Sequence, residues 1–251
     1  MKVLILAGGL GSRLSEETTV KPKPMVELNN VPIIIYIMKH YASFGFKDFV
    51  ILGGYKINFI KNYFSSLKTN LNDFTINLKD NQIQFYKNNI DWNVTILDTG
   101  LNSLTGTRIR SVKKIVEEDF LLTYGDGIGN IDIKKSISFH KKNKAIVTFT
   151  KVHPPNQFGK FKEGKSGKVL SFQEKILQKN DWINGGFYVC NKKLFNFMPK
   201  KINFSLEDTV LPKIAKNGKL FAYPHHSFWK CVDTLKDKID LERLMNEEKL
   251  Q

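Results

Sequence analysis

The chain has 251 residues, 41% of them hydrophobic and 25% charged, which suits one large domain with a substantial core. No apolar run approaches the ~20 residues of a membrane-spanning helix, and the stretch in MKVLILAGG is too short for a secretory leader, so a cytoplasmic protein with no membrane partner is expected. The net charge of +15 invites a nucleic-acid reading, but the only arginines are Arg13, Arg108, Arg110 and Arg243 and the lysines are spread along the chain, so a generic basic surface and no nucleic-acid partner are expected.

Taken in chain order, apolar runs alternate with helical patterns. Residues 2–7 (KVLILA) predict a buried strand. Residues 31–45 predict a helix, with Pro32 in its first turn and Gly45 as a stop signal. A second buried strand follows at 48–54 and a helix at 57–67. The segment 74–87 alternates around Asp80-Asn81, the pattern of a hairpin. A strand at 93–100, a helix at 105–116 and a strand at 119–127 ending in Gly125-Asp126-Gly127 come next, then a helix at 132–143 and a strand at 144–152. Beyond about residue 150 short strands and turns take over (FGKFKEGKSGKVLSFQEK), followed by one more buried strand in INGGFYVCN and helices at 206–217 and 234–248.

This alternation predicts an α/β fold, a mostly parallel sheet covered by helices. One domain over 1–251 is expected, with a nucleotide-binding part over about 1–150 and a part over about 151–251 that closes on a second substrate. Cys190 and Cys231 form no metal or redox spacing and read as reduced thiols. His225 and His226 are adjacent, so on a strand they would face opposite ways and not share an ion.

The stretch LAGGLGSRLSEETTVKPKPM (6–25) carries the strongest signal. Gly9-Leu10-Gly11-Ser12-Arg13-Leu14 begins like a dinucleotide fingerprint, but its sixth position is leucine, and no Gly-Lys-Ser/Thr follows at the Walker spacing. Hydride transfer and a P-loop ATPase are therefore unsupported. The physical content stands regardless. Glycines after a strand let backbone N–H groups approach phosphate oxygens. Arg13 offers a planar fork of donors, and Lys21-Pro22-Lys23-Pro24 holds two ammonium groups on a stiff segment. By themselves Gly125-Asp126-Gly127 and Asn184-Gly185-Gly186 could be plain turns, Asp233 a helix N-cap, and Glu174-Lys175 a surface ion pair.

Leu6-Ala-Gly-Gly-Leu-Gly-Ser-Arg-Leu followed by Lys-Pro-Lys-Pro-Met resembles the signature of the sugar-1-phosphate nucleotidyltransferases. The resemblance extends through Gly54-Tyr55-Lys56, Trp92 to Gly100, Thr123 to Gly127, Phe172 to Lys175, Ile183 to Phe187 and Asp233-Thr-Leu, nearly the whole chain in order. It is strongest to the cytidylyl branch. It implies a Rossmann-like nucleotide-diphospho-sugar transferase fold with a β-hairpin insertion and a smaller sugar-binding part. The implied reaction joins CTP to a sugar 1-phosphate, with glucose 1-phosphate favoured, and releases pyrophosphate. Mg²⁺ is the implied cofactor, a homo-oligomer the implied assembly, and nucleotide-sugar supply to the lipopolysaccharide O-antigen the implied use.

The same resemblance assigns residues. Leu6, Ala7, Gly8, Gly9, Leu10, Gly11, Ser12, Arg13, Lys23, Ser103, Arg108, Gly125 and Asp126 would bind the nucleotide. Tyr124, Glu174, Lys175, Asn184 and Gly185 would bind the sugar phosphate, and Asp126 and Asp233 the metal. Arg13, Lys23, Asp126 and Lys175 would carry catalysis. Two departures from the family pattern stand out: Ile176 where many relatives have proline, and Thr107 where they have glycine. Uridylyl or thymidylyl transfer, another phosphorylated acceptor, a catalytically silent homologue and a nucleic-acid-binding module are the alternatives at this stage.

Overall fold

The computed structural model describes residues 1–70, 72–86, 90–153, 160–163, 168–173, 182–200 and 202–247. Five consecutive apolar residues, Val3–Ala7 (β1), are buried end to end, as a strand covered on both faces requires. Alternation along the strand divides them: Val3, Ile5 and Ala7 join one core, Leu4 and Leu6 the other. After β1 the chain makes a 3₁₀ turn at Ser12–Leu14, one helical turn at Ser15–Thr18 (α1), a second 3₁₀ turn at Lys23–Met25 and a small ladder of Glu27–Leu28 (β2) with Val31–Pro32 (β3). The remaining elements are Ile33–Ser43 (α2), Asp48–Gly53 (β4), Ile57–Asn70 (α3), Phe74–Asn77 (β5), Gln82–Phe85 (β6), Asn93–Asp98 (β7), Thr105–Ser111 (α4), Asp119–Tyr124 (β8), Gly127–Gly129 (β9), Ile133–Lys142 (α5), Val147–Val152 (β10), Lys160–Glu163 (β11), Val169–Gln173 (β12), Ile183–Asn191 (β13), Leu211–Lys216 (α6), Leu220–Pro224 (β14), Trp229–Cys231 (β15) and Leu235–Asn246 (α7).

Seven strands make the main sheet in the order β14-β10-β13-β8-β1-β4-β7. The pairs β1–β4, β1–β8, β4–β7 and β10–β14 are parallel, and β13 alone runs against its neighbours β8 and β10. The mixed, mostly parallel α/β sheet expected from the alternation is therefore present. Helix α2 brings Ile33, Ile34, Ile37, Met38 and Tyr41 to the first core, and α4 and α6 bring Ile109, Leu211 and Ile214 to the second. The carboxyl ends of β1, β4, β7 and β8 share one edge, where Ala7 stands beside Gly53, Gly53 beside Asp98, and Leu6 beside Tyr124. The reversed β13 delivers its amino end, Ile183–Gly186, to the same edge. That is where ligands of α/β sheets collect.

Among the predicted elements whose bounds differ, three have a clear physical reason. Pro32 lies before its helix, in extended conformation at the N-cap of α2 and paired with Glu27, because a residue with fixed φ and no N–H is at home in either place. The helix predicted over 105–116 ends at Ser111, where Val112 bonds back to Ile109 and burial of Val112 and Val116 sets the path. The segment 206–217 begins as a wide π turn over Leu206–Val210 and becomes α6 at Leu211, with Pro212 at its start. The hairpin is as predicted: β5 and β6 pair, and Asn81 takes the left-handed conformation the turn needs, with φ 57°. No helix among the described residues is long and apolar enough to cross a membrane.

Candidate active site

The loop leaving β1 must pass over a buried cation. Arg108 on α4 is only 4% exposed, and its Nη1 donates to the carbonyls of Gly53 (2.8 Å) and Gly100 (2.9 Å) and to Thr99 Oγ1 (2.6 Å). Its Nη2 donates to the carbonyls of Gly8 (2.9 Å) and Leu101 (3.2 Å). A β-carbon on Gly8 would stand 2.2 Å from the guanidinium carbon, so this position demands glycine. Burial pulls the Arg108 pKa below the usual arginine value, while Asp98 works the other way. Gly11 turns the loop at φ 66°, and Thr18 Oγ1 bonds the carbonyls of Gly11 (3.0 Å) and Leu14 (2.9 Å).

This loop walls a cavity of about 350 Å³ that Leu6, Ala7, Gly8, Gly9, Gly11, Ser12, Arg13, Lys23, Ser103, Arg108, Gly125 and Asp126 line. Of the residues expected at the nucleotide, Leu10 alone stands apart, pointing to solvent. Arg108 lines the cavity, but the contacts of its two terminal nitrogens are with protein oxygens, so the structure makes it a brace of three loops. Pro24, Leu104 and Thr105 line the same cavity and were not assigned to the nucleotide from the sequence.

At the mouth of the loop a second cation meets acid. The 3₁₀ turn at Lys23–Met25 separates the two lysines of Lys-Pro-Lys-Pro. Lys21 pairs with Glu27 at 3.3 Å, whereas Lys23 Nζ reaches Asp126 Oδ2 at 2.7 Å and Asp233 Oδ1 at 2.5 Å. Arg13 Nη1 bonds the other oxygen of Asp233 at 3.0 Å while its side chain stays 74% exposed. Burial works to lower the Lys23 pKa, but Asp126 and the hydrogen bonds to both carboxylates outweigh it and hold the pKa above the ordinary lysine value. Asp126 and Asp233 lie 107 positions apart in the sequence. They meet because β15 pairs with β9 (Cys231 beside Gly127) and the Val232 N–H bonds the Asp126 carbonyl at 3.0 Å.

Cys231 Sγ belongs to the same group, with ligand atoms of Asp126, Cys231 and Asp233 all within 4.8 Å of one another. Its burial, followed by Asp126, pushes the thiol pKa upward. The two cysteines share no metal spacing, as read from the sequence, but the fold sets Cys231 beside the two carboxylates. The available signal was the Cys-x-Asp step, which on an extended segment shares one face. The converging carboxylates already hold a stand-in cation, the Lys23 ammonium, so the donor set fits a divalent ion with protein oxygens and open positions.

A second cavity of about 400 Å³ adjoins the first, and Arg13, Tyr124 and Asp126 line both. Asn184, Gly185, Gly186 and Phe187 of β13 form its far wall with Trp229 and Asp233. Trp229 Nε1 donates to the Gly185 carbonyl at 2.8 Å, and the Gly186 N–H donates to Asn184 Oδ1 at 3.0 Å. Tyr124 thus lines both cavities, and Asn184 and Gly185 line the second. Glu174 and Lys175 lie outside the described residues. His225 is buried and bonds the Phe228 carbonyl, and His226 packs edge-on against Trp182; both lie just past β14, so strand alternation is not what separates them.

Two cavities thus adjoin at a sheet edge, one of them under a glycine loop, and meet at the cluster of Arg13, Lys23, Asp126 and Asp233. The nucleotidyl transferase family model matches residues 2–248, and the chain belongs to that family. It is 44% identical to glucose-1-phosphate cytidylyltransferase of Salmonella typhimurium over 99% of this chain and 97% of that one. It is 38% identical to a probable glucose-1-phosphate cytidylyltransferase of Bacillus subtilis over 98% and 97%. The crystal structure of HddC from Yersinia pseudotuberculosis superposes with a TM-score of 0.68 at 25% identity, covering 97% of this chain and 99% of that one. The Rossmann-like fold of this family is the fold observed.

Proposed function

We propose that the protein transfers a cytidylyl group from CTP to glucose 1-phosphate, giving CDP-glucose and pyrophosphate, in the cytoplasm. The observation that carries this is the convergence of Arg13, Lys23, Asp126 and Asp233 where the two cavities meet, in a chain 44% identical to a glucose-1-phosphate cytidylyltransferase. A phosphate oxygen of the sugar attacks the α-phosphorus, and pyrophosphate leaves in line. The attacking oxygen is already ionised near neutral pH, so the chain needs orientation and positive charge more than a general base.

Residues of about 1–150 hold the nucleotide and those of about 151–251 the sugar phosphate. The backbone from Leu6 to Ser12, with Ser103 and Gly125, lies along the nucleotide. Arg13 and Lys23 neutralise the triphosphate and the departing pyrophosphate. Asp126 and Asp233 hold Mg²⁺, which supplies charge neutralisation to the reacting phosphates. Lys175 meets the sugar's phosphate, Glu174 and Asn184 its hydroxyls, and Tyr124 and Gly185 shape the floor. The hairpin β5–β6 exposes Ile76, Leu78, Ile83 and Tyr86 and serves as a subunit contact in a homo-oligomer, for which light scattering should give a mass above that of one chain.

The test is pyrophosphate release from each nucleoside triphosphate with a panel of sugar phosphates. CTP with glucose 1-phosphate should be fastest; faster turnover of dTTP or UTP overturns the choice of base. Asp126→Asn and Asp233→Asn should each stay folded and lose about 10²-fold or more in turnover. Near-native rates in folded variants would remove the metal assignment.

A further inference from the structure

We propose that Glu207 is a positioning residue for the sugar phosphate: through Tyr124 and Tyr188 it fixes which way the Asn184 amide faces the sugar cavity. The inference rests on the reading that Asn184 meets the sugar's hydroxyls. Glu207 lies in the wide turn before α6 and is absent from the described lining of either cavity. Its Oε1 accepts from the Tyr124 hydroxyl at 2.5 Å, and its Oε2 accepts from Thr105 Oγ1 at 2.6 Å and Ser205 Oγ at 2.9 Å. The Tyr124 and Tyr188 hydroxyl oxygens are 2.8 Å apart, and Asn184 Nδ2 donates to Tyr188.

Each step of this relay has one permitted direction. An ionised carboxylate has no proton to give, so Tyr124 must donate to Glu207. The Tyr124 oxygen can then only accept from Tyr188. Tyr188, its single proton committed, must accept in turn, and the donor is Asn184 Nδ2. That leaves Asn184 Oδ1 toward the Gly186 N–H, where it accepts at 3.0 Å. Both ends of the amide therefore agree with a direction set by a residue three hydrogen bonds away. Burial, above all, pushes both tyrosine hydroxyls well above the usual phenol range, so they keep the protons the relay needs. The remaining N–H and lone pair of Asn184 face the cavity in a defined order. A network in which every member is satisfied specifies one arrangement.

Glutamine at 207 would break the logic without changing shape. Its amide can donate to Tyr124, which reverses both tyrosine hydroxyls and turns the Tyr188 proton toward Asn184 Nδ2. The Asn184 amide must then flip and set its NH₂ against the Gly186 N–H, or leave a buried donor unpaired. Steady-state kinetics of the full chain with CTP and glucose 1-phosphate reads this directly. Glu207→Gln should raise the KM for glucose 1-phosphate about tenfold and leave the KM for CTP within about twofold. Tyr188→Phe should give the same split, and the double variant should be no worse than either single one. Glu207→Asp, which restores an acceptor-only group, should recover part of the loss.

A lowered melting temperature with both KM values unchanged would make Glu207 a structural tie and overturn the proposal, as would effects that add in the double variant. If Glu207→Gln does not fold, the KM split of Tyr188→Phe decides by the same criterion. Asn184→Ala separates this failure from that of the underlying reading. If it leaves the sugar KM unchanged, the assignment of the sugar site fails; if it raises that KM while Glu207→Gln does not, only the relay fails.

Discussion

The molecule holds two cations within one site in opposite ways. Arg108, beneath the phosphate loop, is buried and bonded to backbone carbonyls of Gly8, Gly53, Gly100 and Leu101, which no ligand can displace without opening the loops themselves. Lys23, at the loop's mouth, is bonded to the Asp126 and Asp233 side chains, which a divalent ion could equally satisfy. The difference teaches what separates a structural cation from a working one. A guanidinium with five donors in a rigid fork matches carbonyls converging from several loops. An ammonium on a flexible stem can leave one partner for another.

Removing the brace should have the largest effect. Arg108→Ala leaves several buried carbonyls without a donor and is expected to cost about 3–5 kcal/mol, read by urea unfolding. Arg108→Lys should recover only part of this, since three donors cannot serve all the acceptors. A stable Arg108→Ala protein with only a weakened KM for CTP would make Arg108 a substrate contact and erase the contrast.

Lys23→Ala should behave differently. It should raise the KM for CTP by about tenfold, strip Asp126 of its cation and leave Asp233 with Arg13 alone. Magnesium should then raise the melting temperature of the variant more than that of the wild type, by the linkage of ion binding to folding. Equal shifts in the two proteins would show that the ammonium and the ion do not compete. Between these lies Gly11→Ala. A side chain at φ 66°, with Thr18 Cγ2 only 2.8 Å from its β-carbon, should cost about 1–2 kcal/mol, measured by the same unfolding experiment.

The smallest effect belongs to a pair that ties the loop to the last helix. Glu17 is bonded to Lys238 at 2.5 Å, and this bond, helped by the Lys238 and Lys21 charges against the opposing effect of burial, lowers its pKa below the ordinary 4.5. A lowered carboxylate pKa stabilises the fold above the unfolded value, and that stability is lost as pH falls from about 4.5 through the folded pKa. Lys238→Met should lower the melting temperature slightly at neutral pH and flatten the acid limb, so that the variant and the wild type converge at low pH. An unchanged acid limb would remove Glu17 from the account.

Much of this architecture was legible in the residues. KVLILA and DFVILGG are too apolar to face water and too short to be anything but buried strands. The turn at Asn81 and the two helices expected at 31–45 and 57–67 follow from local spacing, though they run over Ile33–Ser43 and Ile57–Asn70. The glycines and Arg13 announced an anion site because small residues and a planar cation after a strand have few other uses. Resemblance assigned Arg108 to the nucleotide, and its part as a brace was not legible, because two of its partners, Gly53 and Gly8, lie 55 and 100 positions away. Glu207 was passed over for the same reason, since Tyr124 and Thr105 lie 83 and 102 positions away, and Cys231 was read as a plain thiol because Asp126 joins it only through the fold.

By itself, then, the chain's order of residues determined the α/β class, the place of the glycine loop and the residue types gathered there, because periodicity and local backbone preference act over a few positions. Resemblance named Lys23, Asp126, Asp233 and Asn184, but the tertiary structure supplied the contacts: Lys23 on both acids while Lys21 turns to Glu27, and a reversed strand that carries Asn184 to the site. Those outcomes depend on sheet order and on the pairing of β9 with β15. The burial of the whole core selects such pairings, and no stretch of a few residues encodes them.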